Sequence, residues 1–228
     1  MSTLELMADS FLKILLPGIR MTIPLTIIAF SIALVIALLV AMIQYAHVKV
    51  LSEICRFYIW VVRGTPLLVQ LYVVFFGLPD LGIIIDPFPA AVIVFSINEG
   101  AYCAETIRGA MEAVPKGQME AGYCVGLNYW QIMFKVVLPQ AFRSAFPALS
   151  NSLISMTKDT SLAANITVVE MMMATNRIIA RVYRPLPLYI EVGIIYLIFS
   201  TALTALQRAG EKRLRRYEEA EVKIHAGV

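Results

Sequence analysis

Apolar residues along this chain gather into long blocks with short polar punctuation between them, covering residues 21–44, 57–77, 87–106, 146–173 and 189–206. A helix needs about 20 apolar residues to cross a hydrocarbon core of about 30 Å, so the pattern predicts five membrane-spanning helices. The stretch before the first block, MSTLELMADSFLKILLPGIR, reads differently. Ser2 and Glu5 fit a capping box, and Leu4, Met7, Phe11, Ile14 and Leu15 recur at helical spacing, which predicts a short amphipathic helix over residues 1–15 lying along the membrane surface. It lacks the basic start, short apolar run and small-residue cleavage site of a secretory signal. The second block is interrupted by RGTP. Pro66 removes a backbone donor and crowds the carbonyl of Val62, while Gly64 loosens the same turn. Either the helix is kinked for packing, or a fresh helix starts inside the bilayer with Thr65 as N-cap and Pro66 as its first residue. Broken helices are tolerated at that depth only where protein or a water-filled cavity surrounds them.

Residues 107–145 are too many for an ordinary connector. Pro115, Gly126 and Pro139 divide them into short helices, one of which spans residues 118–127, presents Glu120 and Ala121, and is closed by Gly126 as a C-terminal cap. From the residues alone this piece either rests on lipid headgroups or offers a close-fitting surface to another protein.

Composition agrees with the membrane reading. The chain is 59% hydrophobic and 15% charged, with a mean hydropathy of +0.76, against about 45–50% and about 25% for a soluble domain. Basic residues resist translocation. Lys49 and Arg56 follow the first block, Arg108, Lys116, Lys135 and Arg143 the third, and Arg208, Lys212, Arg213, Arg215, Arg216 and Lys223 the fifth. The opposite face has Lys13 and Arg20, the acidic LPDLGIIIDPFP, and Arg177, Arg181 and Arg184. The balance predicts an outside N-terminus and a cytoplasmic C-terminus. The net charge of +3 is too small to indicate nucleic acid. Cys55, Cys103 and Cys124 form no CxxC and no His/Cys cluster, so they read as small apolar packing residues and no metal site is expected. There is no GxxxxGK[ST], HExxH or GxSxG, so the chain is expected not to be an enzyme and to hold no cofactor.

Within the fourth block stands SMTKDTSLAANI. A charge at a helix centre costs about 2.5–3.5 kcal/mol on insertion scales, so Lys158 and Asp159 need partners or water. Helical spacing puts Ser152, Ser155 and Asp159 on one stripe and Asn151, Ser155 and Lys158 on an overlapping one. The third block offers Asn98, Tyr102 and Glu105 at the same spacing, with Glu99 beside them. In one assignment Lys158 pairs with Glu105 or Glu99 across helices and Asp159 caps a kink near Thr160 and Ser161. In the other, Asp159 accepts the α-ammonium of an amino acid while Thr160, Ser161 or a helix N-terminus donates to its carboxylate. The second is favoured for Asp159, Thr160 and Ser161, and the first for Lys158.

Glu120, Ala121, Gly122 and Gly126, then nine residues, then Val136, Leu138 and Pro139, match the spacing of the EAA loop of bacterial ABC importer permeases, with glycine for the second alanine and valine for isoleucine. The resemblance extends through FYIWVVRGTPLLVQL, AYCAETIRGAMEAVPKGQMEA and LPQAFRSAFPALSNSLISMTKDTSLAANI, and covers most of the chain. The chain resembles the polar amino acid branch of these permeases, and SNSLISMTKDTSLAA is most similar to those for cystine. The resemblance implies an all-α type I permease fold as a single domain over residues 1–228, with a cytoplasmic tail over 207–228. It implies that Glu120, Ala121, Gly122, Gly126 and Leu127 form a coupling helix docking on a separate ATPase subunit, which holds ATP and magnesium. It further implies a paired permease chain, identical or not, an extracytoplasmic binding protein, and a bacterial inner membrane location. Arg63, Gly64 and Pro66 take structural roles. Some relatives carry glutamate at the position of Ser152; serine there removes a second strong acceptor, which argues against arginine or lysine as cargo and leaves cystine and glutamine. Two other classes stay open: an ion-coupled secondary carrier, against which five spans without an internal repeat speak, and a membrane scaffold subunit.

Overall fold

The computed structural model describes residues 2–225, with side chains described as far as Leu214. Ten helices succeed one another and no strand occurs among the described residues: α1 (Thr3–Pro17), α2 (Ile23–Tyr45), α3 (Lys49–Arg63), α4 (Leu67–Tyr72), α5 (Pro87–Glu112), α6 (Lys116–Cys124), α7 (Tyr129–Ile132), α8 (Leu138–Asp159), α9 (Met171–Val182) and α10 (Pro185–His225).

The predicted N-terminal helix is present with its capping box, Ser2 Oγ accepting from the Glu5 amide and the Glu5 carboxylate accepting from the Ser2 amide. It does not end before the first span. A wide π-turn at Gly18–Thr22 carries it into α2, giving one 43-residue helix. At ~1.5 Å per residue this reaches roughly twice the hydrocarbon thickness. One face of it packs on protein: Leu6 and Ile14 are buried with Met171 of α9 and Leu188, Val192 and Ile195 of α10, while Leu4, Phe11 and Leu12 stay exposed. Ser10 Oγ donates to the buried carboxylate of Glu191.

In the bundle centre, α2 lies along α5. Ala29, Ala33, Ala37 and Ala41 recur every four residues on the buried face of α2, opposite Ala90, Ala91, Ala101 and Ala104 of α5. Small residues let membrane helices approach closely where lipid gives no hydrophobic drive between them. The Ser96 hydroxyl crosses the seam to the Ala29 carbonyl at 3.1 Å.

Two helices are long and apolar enough to cross a membrane, Thr3–Tyr45 and Pro185–Leu214, and the bent pair Lys49–Arg63 and Leu67–Leu81 makes a third. The other two predicted spans, α5 and α8, are the ones that carry Asn98 and Glu99 and Lys158 and Asp159. The fourth block is not one helix. α8 stops at Asp159, a 3-10 segment takes up Thr160–Ile166, Thr167 adopts φ 67°, and α9 begins afresh. Glu170 caps α9, accepting from the Met173 amide at 2.8 Å and the Tyr196 hydroxyl at 2.7 Å. Pro139, expected to break the long connector, lies inside a continuous helix because the π-turn at Met133–Val137 precedes it. The Leu138 amide there reaches back to Met133, a wider turn that absorbs the donor proline lacks.

Candidate functional site

The break at RGTP is a true one: α3 and the helix after it meet at 102°. Pro66 is the N-cap residue and α4 begins at Leu67, one place later than predicted, and Thr65 does not cap. Its hydroxyl donates backwards to the Val61 carbonyl at 2.9 Å. The orphaned Val62 carbonyl is satisfied by Gln70, whose Nε2 donates to it at 2.8 Å and to Thr65 Oγ1 at 2.8 Å. Gln70 Oε1 in turn accepts from Asn98 Nδ2 at 3.0 Å. Asn98 is thus a buried partner of the broken helix, behind the face to which the sequence assigned it. Gln70 was missed because an amide in an apolar block shows no partner until the fold is known.

The polar stripe of α8 exists as spaced. Asn151, Ser155 and Lys158 are exposed, and Ser152, Asp159 and Ser161 are half-buried. Glu99 of α5 lies near enough to Ser152 and to Asp159 to interact with both electrostatically. Cys103 Sγ sits 3.6 Å from Glu99 Oε1. Thr160 is different: it is fully buried, donates to the Thr157 carbonyl at 2.7 Å, and so stands behind the site. Asp159 makes no capping bond to the 3-10 segment. Among the described residues neither Asp159 nor Lys158 has a hydrogen bond or an ion pair, which leaves both charges on the open side of α8.

The pairing expected for Lys158 goes elsewhere. Glu105 is engaged by Arg108 at 3.0 Å and by Arg63 at 3.8 Å, and the Arg63 guanidinium lies over the exposed Tyr102 ring, 5.1 Å from its centre. Arg63 therefore ties the broken helix to α5, and Tyr102 and Glu105 belong to that tie. The tie borders a cleft of about 870 Å³ lined by Gln44, Arg56, Trp60, Arg108 and Glu112. Arg108 donates to the carboxylates of both Glu105, at 3.0 Å, and Glu112, at 2.6 Å.

At the same end lies α6, with Glu120 and Ala121 exposed. Gly122 is buried because a Cβ there would stand 2.7 Å from Ile132, which accounts for glycine where the EAA pattern has alanine. Gly126, at φ 79°, closes the helix: its amide donates to Tyr123 O and that of Leu127 to Gly122 O, both at 3.0 Å, the paired bonds of a Schellman end. Asn128 and Gln131 then form a capping box that starts α7. Tyr45 anchors the helix from α2, its hydroxyl 3.3 Å from Met119 Sδ.

A helix bundle with unpaired polar groups on one open stripe and a short helix displayed at one end is the architecture of a membrane transport subunit. Residues 33–216 match the family described as binding-protein-dependent transport system inner membrane component. The chain is 45% identical over 214 residues to the L-cystine transport system permease protein TcyB of Bacillus subtilis (strain 168), covering 93% of this chain and 92% of that one. It is 37% identical to the glutamine transport system permease protein GlnP of Escherichia coli (strain K12), covering 90% and 94%. Among solved structures it superposes on an amino acid ABC transporter with histidines at a TM-score of 0.85 and 32% identity, covering 93% and 99%. The chain belongs to the family of binding-protein-dependent transport system inner membrane components. It is a permease subunit of an amino acid ABC importer and not an enzyme, which implies a separate ATPase and a binding protein as partners.

Proposed function

We propose that this permease carries L-cystine or a closely similar polar amino acid inward, and that Asp159 with Glu99 receives its ammonium groups. The observation that carries the reading is the Asp159 carboxylate, without a hydrogen bond or ion pair among the described residues, near Glu99. Serine at 152 leaves one acceptor fewer on α8; Glu99 supplies that acceptor from α5. Two carboxylates suit cystine, which bears two α-ammonium groups, and exposed Lys158 suits one of its carboxylates. The relative that transports L-cystine supports the choice over glutamine, which has a single ammonium group.

In this reading two permease chains enclose the pathway, with the N-terminus outside and the C-terminus in the cytoplasm. ATP and magnesium bind the partner ATPase, which grips α6 through Glu120, Ala121 and the turn at Gly126 and Leu127. Each partner biases one of two states of the bundle, and that differential preference is all that coupling requires.

The test is uptake by proteoliposomes containing the permease with its ATPase and binding protein. Asp159→Asn removes a charge-assisted hydrogen bond worth about 1.5–3 kcal/mol, so cystine uptake should fall by about one to two orders of magnitude while assembly persists. Full uptake by that variant overturns the site, and inhibition by arginine and lysine with none by cystine overturns the cargo. Uptake driven by an ion gradient without ATP would replace the whole reading with a secondary carrier.

A further inference from the structure

On the far side of α8 from the polar stripe, α2, α8 and α10 enclose an apolar groove of about 610 Å³ lined by Phe30, Leu34, Phe146, Leu149, Leu153 and Leu203. Successive residues of a helix turn by about 100°, so Leu153 stands about 160° around α8 from Ser155, and Leu149 about 120° from it. A face turned away from the polar stripe and lined by apolar side chains has the chemistry of a surface that meets lipid.

The groove has a direction. It starts beside Leu203 and ends at Arg213, ten positions further along α10. At ~1.5 Å per residue this is about 15 Å, half of a hydrocarbon core of about 30 Å, and so the depth of a single leaflet. Its Arg213 end lies near the start of α8, on the side of the bundle that carries α6. Arg213 is exposed and makes no ion pair among the described residues. Of the other polar residues lining the groove, Ser150 and Gln207, the latter is already engaged with Glu211 at 2.9 Å.

An apolar trough one leaflet deep with a cation at its headgroup end has the complementarity of a phospholipid bearing net negative charge. We propose that the groove is a binding site for an anionic phospholipid of the leaflet on the α6 side, one acyl chain lying between α8 and α10 and the phosphate on Arg213. The lipid would brace α10 against α8 on the side opposite the polar stripe.

The experiment uses the assembled transporter in nanodiscs of equimolar phosphatidylglycerol and phosphatidylcholine, released and weighed by native mass spectrometry. The wild-type assembly should retain phosphatidylglycerol over phosphatidylcholine by about fivefold, the factor given by one basic residue at an anionic surface. Arg213→Gln should bring the two to parity, and Leu153→Trp, which fills the trough, should reduce retention of both. Equal retention by the wild type, or a preference that survives Arg213→Gln, overturns the proposal. A disulfide between two copies carrying Leu206→Cys overturns it too, because a second chain would then cover the groove. Should Leu153→Trp fail to assemble, the exposed Arg213→Gln variant decides alone.

Discussion

Replacing Gln70 by leucine keeps the side chain's bulk and removes every bond it makes at the broken helix. Two donated bonds at 2.8 Å are lost, to Val62 O and Thr65 Oγ1, together with the bond accepted from Asn98 at 3.0 Å. A buried hydrogen bond contributes about 1 kcal/mol net, and a buried group left without a partner costs about 1–3 kcal/mol. Pro66 already denies Val62 O its helical donor, and Asn98 is only 8% exposed, so neither finds a replacement readily. The sum is about 3–5 kcal/mol, which for a chain of this size corresponds to a fall in melting temperature of roughly 10 °C. The assay is thermal unfolding of the purified assembly in detergent, with Asn98→Ala and the double variant alongside. Because Gln70 and Asn98 share one bond, the two changes should be less than additive by about 1 kcal/mol. A melting temperature within 2 °C of wild type for Gln70→Leu, where ~10 °C is expected, or strict additivity with Asn98→Ala, would refute the reasoning.

Gly126→Ala puts a Cβ at φ 79° and should cost about 1–2 kcal/mol locally, seen as weaker ATPase stimulation by binding protein with the bundle's melting unchanged. Ser10→Ala leaves the buried Glu191 carboxyl without its partner, and the melting point should drop by the equivalent of about 1–3 kcal/mol. Tyr196→Phe likewise strips the fully buried Glu170 of a 2.7 Å bond and should loosen the start of α9, measured as faster amide exchange over residues 171–174.

How much of this was legible beforehand follows from the range of the interactions concerned. The apolar blocks, the break at RGTP, the α8 stripe and the glycine end of α6 depend on neighbours within about five residues, and periodicity reveals them. What the sequence concealed depends on distant partners. Ser10 meets Glu191, Glu170 meets Tyr196, and Gln70 meets Asn98, pairs separated by 181, 26 and 28 positions. Apolar spacing alone does not show that Leu6 and Ile14 of the N-terminal helix meet α9 and α10. The fourth block looked continuous because nothing in TSLAANI breaks a helix locally; the 3-10 segment is held by tertiary burial of Thr160, Ala163 and Ile166.

The same partners sort the polar groups by role. A polar side chain inside a bilayer is costly unless something answers it. Ser10 with Glu191, Glu170 with Tyr196, Gln70 with Asn98, and Arg63 with Glu105 and Arg108 answer one another, so each explains its own presence by the fold it stabilises. Asp159, Lys158 and Ser155 are not answered in this way among the described residues, and they fall together on one side of α8. A scaffold subunit would gain nothing from keeping such groups unpaired, whereas a transport pathway requires them, because a site that closed on its own side chains would have no bonds left to offer a passing amino acid.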